Sequence, residues 1–291
     1  MTLAGAGTAG VRLSVVVPSL TGDVDGVVAS IARQSLTPDE VEVVAGVSPS
    51  GRARNIGASR TSAPVLVFVD DDARLGDDDT LARLVEPLAD PTVGAVGTAK
   101  LIPPWSSVFQ RCVARQVPRI VHPVVDRLAE STPPLDRLGY TDVTTTCCAV
   151  RREVFDGLGG FDEGLVRGVD SEFFYRMAGA GFRLVQAAGT WVHHPAPASI
   201  GRLWSKHFRY GTGFAQEVRR HPQLGRGRRL ATPVHAAAYA TARTGWVVPH
   251  AFLPWSYADP TGPRFGFRPL RAVSSYAAAL GYVYGWYRAS S

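Results

Sequence analysis

Three apolar, β-branched runs crowd into the first 72 residues, and their alternation with helical stretches limits what this chain can fold into. The runs are residues 11–20 (VRLSVVVPSL), 41–47 (VEVVAGV) and 64–72 (PVLVFVDDD). Val27, Val28 and Ile31 recur at helical spacing within residues 24–34, and a short helix is expected around residues 53–59. Strands with no polar alternation are those buried on both faces. Strand, helix, strand, helix, strand at this spacing predicts an α/β fold with a largely parallel sheet. Ligands of such sheets bind beyond the carboxyl ends of the strands, and Asp70, Asp71 and Asp72 stand at such an end.

Further along, residues 103–136 turn helical and are punctuated by prolines. VTTTCCAVRREVFDGLGGFDE then reads as a strand, a short helix and a glycine turn. VDSEFFYRMAGAGF predicts an amphipathic helix with Phe173, Phe174 and Met177 on its apolar side, and LVQAAGTWVHHP predicts another strand, ending in His193 and His194. The 45% hydrophobic and 19% charged composition excludes a disordered or collagenous chain. Three cysteines, two of them adjacent, give neither a disulfide framework nor a zinc spacing. A reducing, cytoplasmic compartment is the expectation, since residues 1–10 show neither a basic n-region nor an apolar h-region.

The three aspartates carry the strongest chemical signal. Carboxylates at alternate positions after a buried strand can hold Mg²⁺ or Mn²⁺, which take oxygen ligands and bind phosphates jointly with carboxylates. Asp77 to Asp79 suit a solvated turn. Asp170 and Glu172 open a helix after Gly168, where acids also serve the helix dipole. His193 and His194 offer metal-ligand or hydrogen-bonding nitrogens. Arg52 and Arg54, ahead of the third strand, suit a diphosphate.

The order of these elements resembles that of the family 2 inverting glycosyltransferases. SVVVPSL matches the opening strand, GRARNIGASRTSAPVLVFVDDD the approach to a DxD-type motif, and AVRREVFDGLGGFDEGL the turn before the acceptor region. VRGVDSEFFYRMAGAGFRLVQAAGTWVHH follows, and the likeness covers about residues 11–210. HFRYGTGFAQEVRRHP is similar, more loosely, to members that glycosylate lipid-linked or peptide-derived acceptors, mycofactocin-type enzymes among them. The resemblance implies a GT-A fold, with a mostly parallel central sheet and a C-terminal helical extension. Residues 11–100 would form the nucleotide-sugar half, 101–200 the acceptor half, and 201–291 the extension.

By the same resemblance a sugar moves from a nucleotide-diphosphate sugar donor to a hydroxyl-bearing acceptor, with Asp170 as general base. Asp70 approaches the nucleotide ribose, and Asp71 can substitute within the run. Pro18, Arg52, Arg54 and Arg209 belong to the donor site, and Asp72 holds Mg²⁺ or Mn²⁺ with His193 or His194. Two departures stand out. Ala45 and Gly46 replace the acidic pair that contributes to nucleobase recognition, which sets a uracil-specific donor in question, and Val169 replaces the acid beside Asp170. A nucleotide-binding scaffold without turnover is the alternative reading. An aspartyl-phosphate phosphatase fits less well, because Ala73 follows the motif and two strands precede it.

Charge separates the two ends of the chain. Residues 1–100 carry 8 basic and 13 acidic side chains, whereas residues 201–291 carry 13 and 2. Residues 202–214 mix aromatics with cations, and residues 219–229 hold five arginines. No nucleic-acid-binding motif accompanies them. An anionic membrane surface is the partner this end suits, with VVPHAFLPWSY and AVSSYAAALGYVYGWYR as interfacial material and a peripheral place on the inner face of the cell membrane.

Overall fold

The computed structural model describes residues 10–133, 135, 141–222, 230, 232–252 and 266–288. They form two compact units that do not follow chain order. One comprises the chain up to Leu101 together with Pro123–His194, the other Ile102–His122 together with the chain from Pro195 onward.

The first unit is a sheet between helices. Its strands are β1 (Leu13–Ser19), β2 (Glu40–Ala45), β3 (Val65–Val69), β4 (Arg74–Leu75), β5 (Val93–Leu101), β6 (Ala129–Glu130), β7 (Cys147–Arg151) and β8 (Arg183–His193). The order is β2-β1-β3-β7-β5-β8-β4, with β6 also on β8. β1, β2, β3, β5 and β8 run in one direction, and β4, β6 and β7 run against them.

Alternation along β3 assigns the two faces. Val65, Val67 and Val69 pack on one side with Val27 and Ile31 of α1 (Asp25–Ala32) and Leu81 and Leu84 of α3 (Thr80–Val85). Leu66 and Phe68 pack on the other with Ala58 of α2 (Ser50–Ser59) and with two later helices, which follow α4 (Val108–Gln116) of the second unit. These are α5 (Arg152–Gly157), giving Val154 and Phe155, and α6 (Val169–Gly179), giving Phe173, Phe174 and Met177. Burial on both faces is what forced the apolar run of β3. β2 departs from that expectation: as the sheet's edge strand it keeps Val41 41% exposed, and it turns Glu42 toward Arg60 at 3.0 Å.

The second unit is helical. α4 starts on a capping box, in which Ser107 Oγ accepts from Gln110 N while Gln110 Oε1 accepts from Ser107 N. With it come α7 (Ile200–Arg220), α8 (Pro233–Gly245), α9 (Val247–Phe252) and α10 (Pro269–Arg288). α7 and α10 approach backbone to backbone at Gly211 and Gly281, where an added Cβ would stand 1.9 Å from Ala278 O and 2.0 Å from Phe208 O. No described helix is long and apolar enough to cross a membrane. Residues 223–229 of the arginine-rich segment and residues 253–257 of VVPHAFLPWSY lie outside the described residues.

Candidate active site

Parallel strands deliver their carboxyl ends to one edge, and that geometry gathers residues far apart in sequence. β1, β3 and β8 run the same way, so Ser19, Asp70 to Asp72 and His194 all emerge at one edge of the sheet. Antiparallel pairing of β4 with β8 sets Arg74 opposite His193, and this register swings Asp72 back beside His194. His194 Nε2 lies 3.3 Å from Asp72 Oδ1.

The three aspartates have three different partners. Asp70 continues the face of β3 on which α2 packs, and Arg54 of α2 donates to its Oδ1 at 2.6 Å. The Arg54 side chain is 4% exposed and that of Asp70 26%. Asp71 accepts from Ser19 Oγ at 2.7 Å, and the same oxygen accepts from Gly22 N at 2.9 Å, which ties the run to the loop after β1. Asp72 is 52% exposed and faces the 12% exposed His194.

Asp70, Asp72 and His194 each offer a ligand atom within 4.8 Å of the others. Two carboxylates and an imidazole fit a divalent transition-type cation better than a strictly oxygen-seeking one. Burial pushes the Asp70 carboxyl above the usual aspartate range; Arg54 pulls it down, and the charges of Asp170 and Asp71 raise it. Asp170 therefore sits close enough for its charge to be felt at Asp70.

Asp170 begins α6 behind Gly168, whose φ of 78° makes the left-handed turn that glycine supplies readily. Its Oδ1 accepts from Ser171 N at 2.9 Å. The other acid of that turn is structural: Glu172 is 0% exposed and pairs with Arg176 at 2.5 Å, while the same guanidinium donates to Leu158 O and Gly160 O. Val169 is core, 4% exposed among the phenylalanines that pack under the site.

Sequence reasoning gathered some of these residues and missed others. Asp70, Asp72 and His194 converge, whereas His193 lies outside that group of three. Arg54 is committed to Asp70, Arg52 is turned to Glu163 at 3.9 Å, and Pro18 is buried in β1 opposite Val44. Arg209 lies on α7 of the second unit, where its Nε donates to Ser205 O. Ser19 was missed, although it closes the opening strand. Asn55 was missed too: it bonds both the N and the O of Phe161, pinning α2 to the turn before α6. Cys147 and Cys148 are packing groups, for burial pushes the Cys147 thiol up to about 12 and Cys148 well above its ordinary value.

Comparison with known proteins agrees with this arrangement. The chain is 36% identical over 156 residues to an O-antigen biosynthesis protein of Myxococcus xanthus, covering 50% of this chain and 12% of that protein. It is 30% identical over 151 residues to a succinoglycan biosynthesis protein of Rhizobium meliloti (strain 1021), covering 48% and 45%. The matches thus span less than half of either relative's length. Among solved structures it resembles a mannosyltransferase from Pyrobaculum calidifontis in complex with GDP-Man and Mn²⁺, with a TM-score of 0.58 and 18% identity over 95% of this chain and 87% of that one. That likeness concerns the fold, which is GT-A. The model of the family described as glycosyltransferase like family 2 matches residues 2–213, and the chain belongs to that family.

Proposed function

We propose that this chain is a metal-dependent, inverting glycosyltransferase that moves a sugar from a nucleotide-diphosphate donor to a hydroxyl-bearing acceptor. The observation that carries the reading is the gathering of Asp70, Asp72 and His194 at the carboxyl edge of the sheet, with Asp170 close by. A cation held there supplies charge neutralisation to the departing diphosphate. The mixed oxygen and nitrogen set favours Mn²⁺ over Mg²⁺.

Asp170 takes the proton of the acceptor hydroxyl as its oxygen attacks the anomeric carbon. The new C–O bond forms on the face opposite the bond that breaks, and the nucleoside diphosphate leaves with the bonding electrons. Arg54 fixes Asp70 and offsets part of the burial that raises its pKa, and Ser19 fixes Asp71 against the loop after β1. At the end of β2, where the acidic pair of a uracil site would be, stand Ala45 and Gly46, the latter at φ 73°. The donor is therefore not assigned to uracil, and the nucleobase is left to the donor panel below. Asp70 clamped by Arg54 is poorly disposed to act as a phosphatase nucleophile.

The test is incubation with Mn²⁺ and a panel of UDP-, GDP- and dTDP-sugars, following transfer or slow donor hydrolysis and the anomeric configuration of the product. Inverted product from one donor class supports the reading. Donor binding with neither transfer nor hydrolysis would instead favour the scaffold.

A further inference from the structure

A helix on the surface of a soluble protein turns its apolar stripe inward and its charges outward. α8 and α9 do the reverse. They contain no Asp, Glu or Lys, and the guanidinium of their one arginine, Arg243, is occupied with Ser275 Oγ at 2.7 Å. Ala236 and Ala251 are the buried positions, while Ala237, Ala238 and Ala242 face outward. Val234 is 74% exposed, Trp246 51%, Val248 67% and Phe252 51%. His235, Thr241 and Thr244 are exposed as well. The apolar surface is therefore concentrated at Trp246, Val248 and Phe252, with Val234 and the alanines beside it. Exposed apolar clusters of this kind mark interaction surfaces.

The surrounding charge selects the occupant. Within the helices α7, α8, α9 and α10 themselves the one carboxylate is Glu217, which is 3% exposed. Ala236 and Tyr239 pack with Val218, Tyr282 and Trp286, so the start of α8 lies against the last turns of α7 and α10. Those turns expose Arg219, Arg220 and Arg288. A second copy would bring the same cations and no acids to the contact. An anionic bilayer complements both features, since lipid headgroups attract arginine and the acyl boundary takes Val, Trp and Phe.

We propose that the outer face of α8 and α9 is a docking surface for an anionic lipid bilayer, on which the helices lie in the interface plane. The proposal is independent of sugar transfer. The test is co-sedimentation of the chain with vesicles of phosphatidylcholine alone, or with about one-third phosphatidylglycerol, at moderate salt. Partition onto the anionic vesicles is expected to be about tenfold stronger or more, and to fall about tenfold in V248S/F252S at unchanged unfolding temperature. R220Q/R288Q should weaken binding and flatten its salt dependence. Equal partition onto both vesicles, no partition, or undiminished binding by V248S/F252S overturns the proposal. So does a dimer that the same substitutions dissociate, which assigns the face to a second copy. Equally tight binding to soluble polyglutamate, insensitive to V248S/F252S, overturns it in favour of an acidic protein partner.

Discussion

Arg54 shows 4% of its side chain to solvent and spends its charge on Asp70. Removing one partner of a buried pair leaves the other uncompensated, which typically costs about 3–5 kcal/mol. Arg54→Met should therefore destabilise the chain by about 3 kcal/mol in urea unfolding; a loss below about 1 kcal/mol would mean that water, not Arg54, sustains the Asp70 charge. Asp170→Asn tests the chemistry instead of the fold. Turnover should fall about a thousandfold, as for loss of a general base, with donor affinity and unfolding temperature held. Undiminished turnover in that variant removes Asp170 from the base position. The aspartate run advertised a site in the sequence, because carboxylates beside an apolar strand need an explanation. Its division of labour was not legible there: the partners of Asp70, Asp71 and Asp72 are Arg54, Ser19 and His194, and they converge only through sheet register.

Elements buried on both faces leave a plain signature, and β1 and β3 lie where their apolar runs put them. β7 illustrates the limit. CCAV reads as a strand, yet its antiparallel insertion between β3 and β5 depends on where the chain returns from, which local pattern does not encode. α7 carries a second hidden property. His207 Nε2 is buried with no hydrogen-bond partner among the described residues, and burial, aided by Lys206, lowers the His207 pKa to about 4. The unfolded chain, near 6.5, takes up a proton that the folded chain refuses until near pH 4. Stability from neutral His207 is thus fully present above the unfolded pKa and drains as pH falls through that window. Between pH 7 and pH 5 the native chain should lose about 2 kcal/mol more than His207→Phe, read by denaturant unfolding at both pH values. Parallel losses in the two proteins would show that His207 accepts its proton freely in the fold.

At the scale of the whole molecule, the acidic first third and basic last third match the two proposals made above, a cation and nucleotide site in one and an anionic surface for the other. The sequence showed that split through charge alone. It did not show that α4, lying between two strands of the sheet in chain order, folds with the C-terminal helices. Val113, Ala114, Val117 and Ile120 share a core with Ala196 and Leu203, Gln110 Nε2 donates to Ala196 O at 2.8 Å, and Leu270 N donates to Gln116 Oε1 at 3.0 Å. A chain ending at His194 keeps Arg54, Asp70 to Asp72, Asp170 and His194, so a reading by motifs alone would expect it to stand by itself. It also bares Val113, Val117 and Ile120, each contributing about 1.5–3 kcal/mol when buried. That loss, about 5 kcal/mol or more, rivals the net stability of a typical domain. The truncated chain should aggregate or bind a hydrophobic dye, and serine at those three positions should restore solubility without the missing helices. A truncated chain that remains monomeric and melts with the full one would show that α4 packs elsewhere.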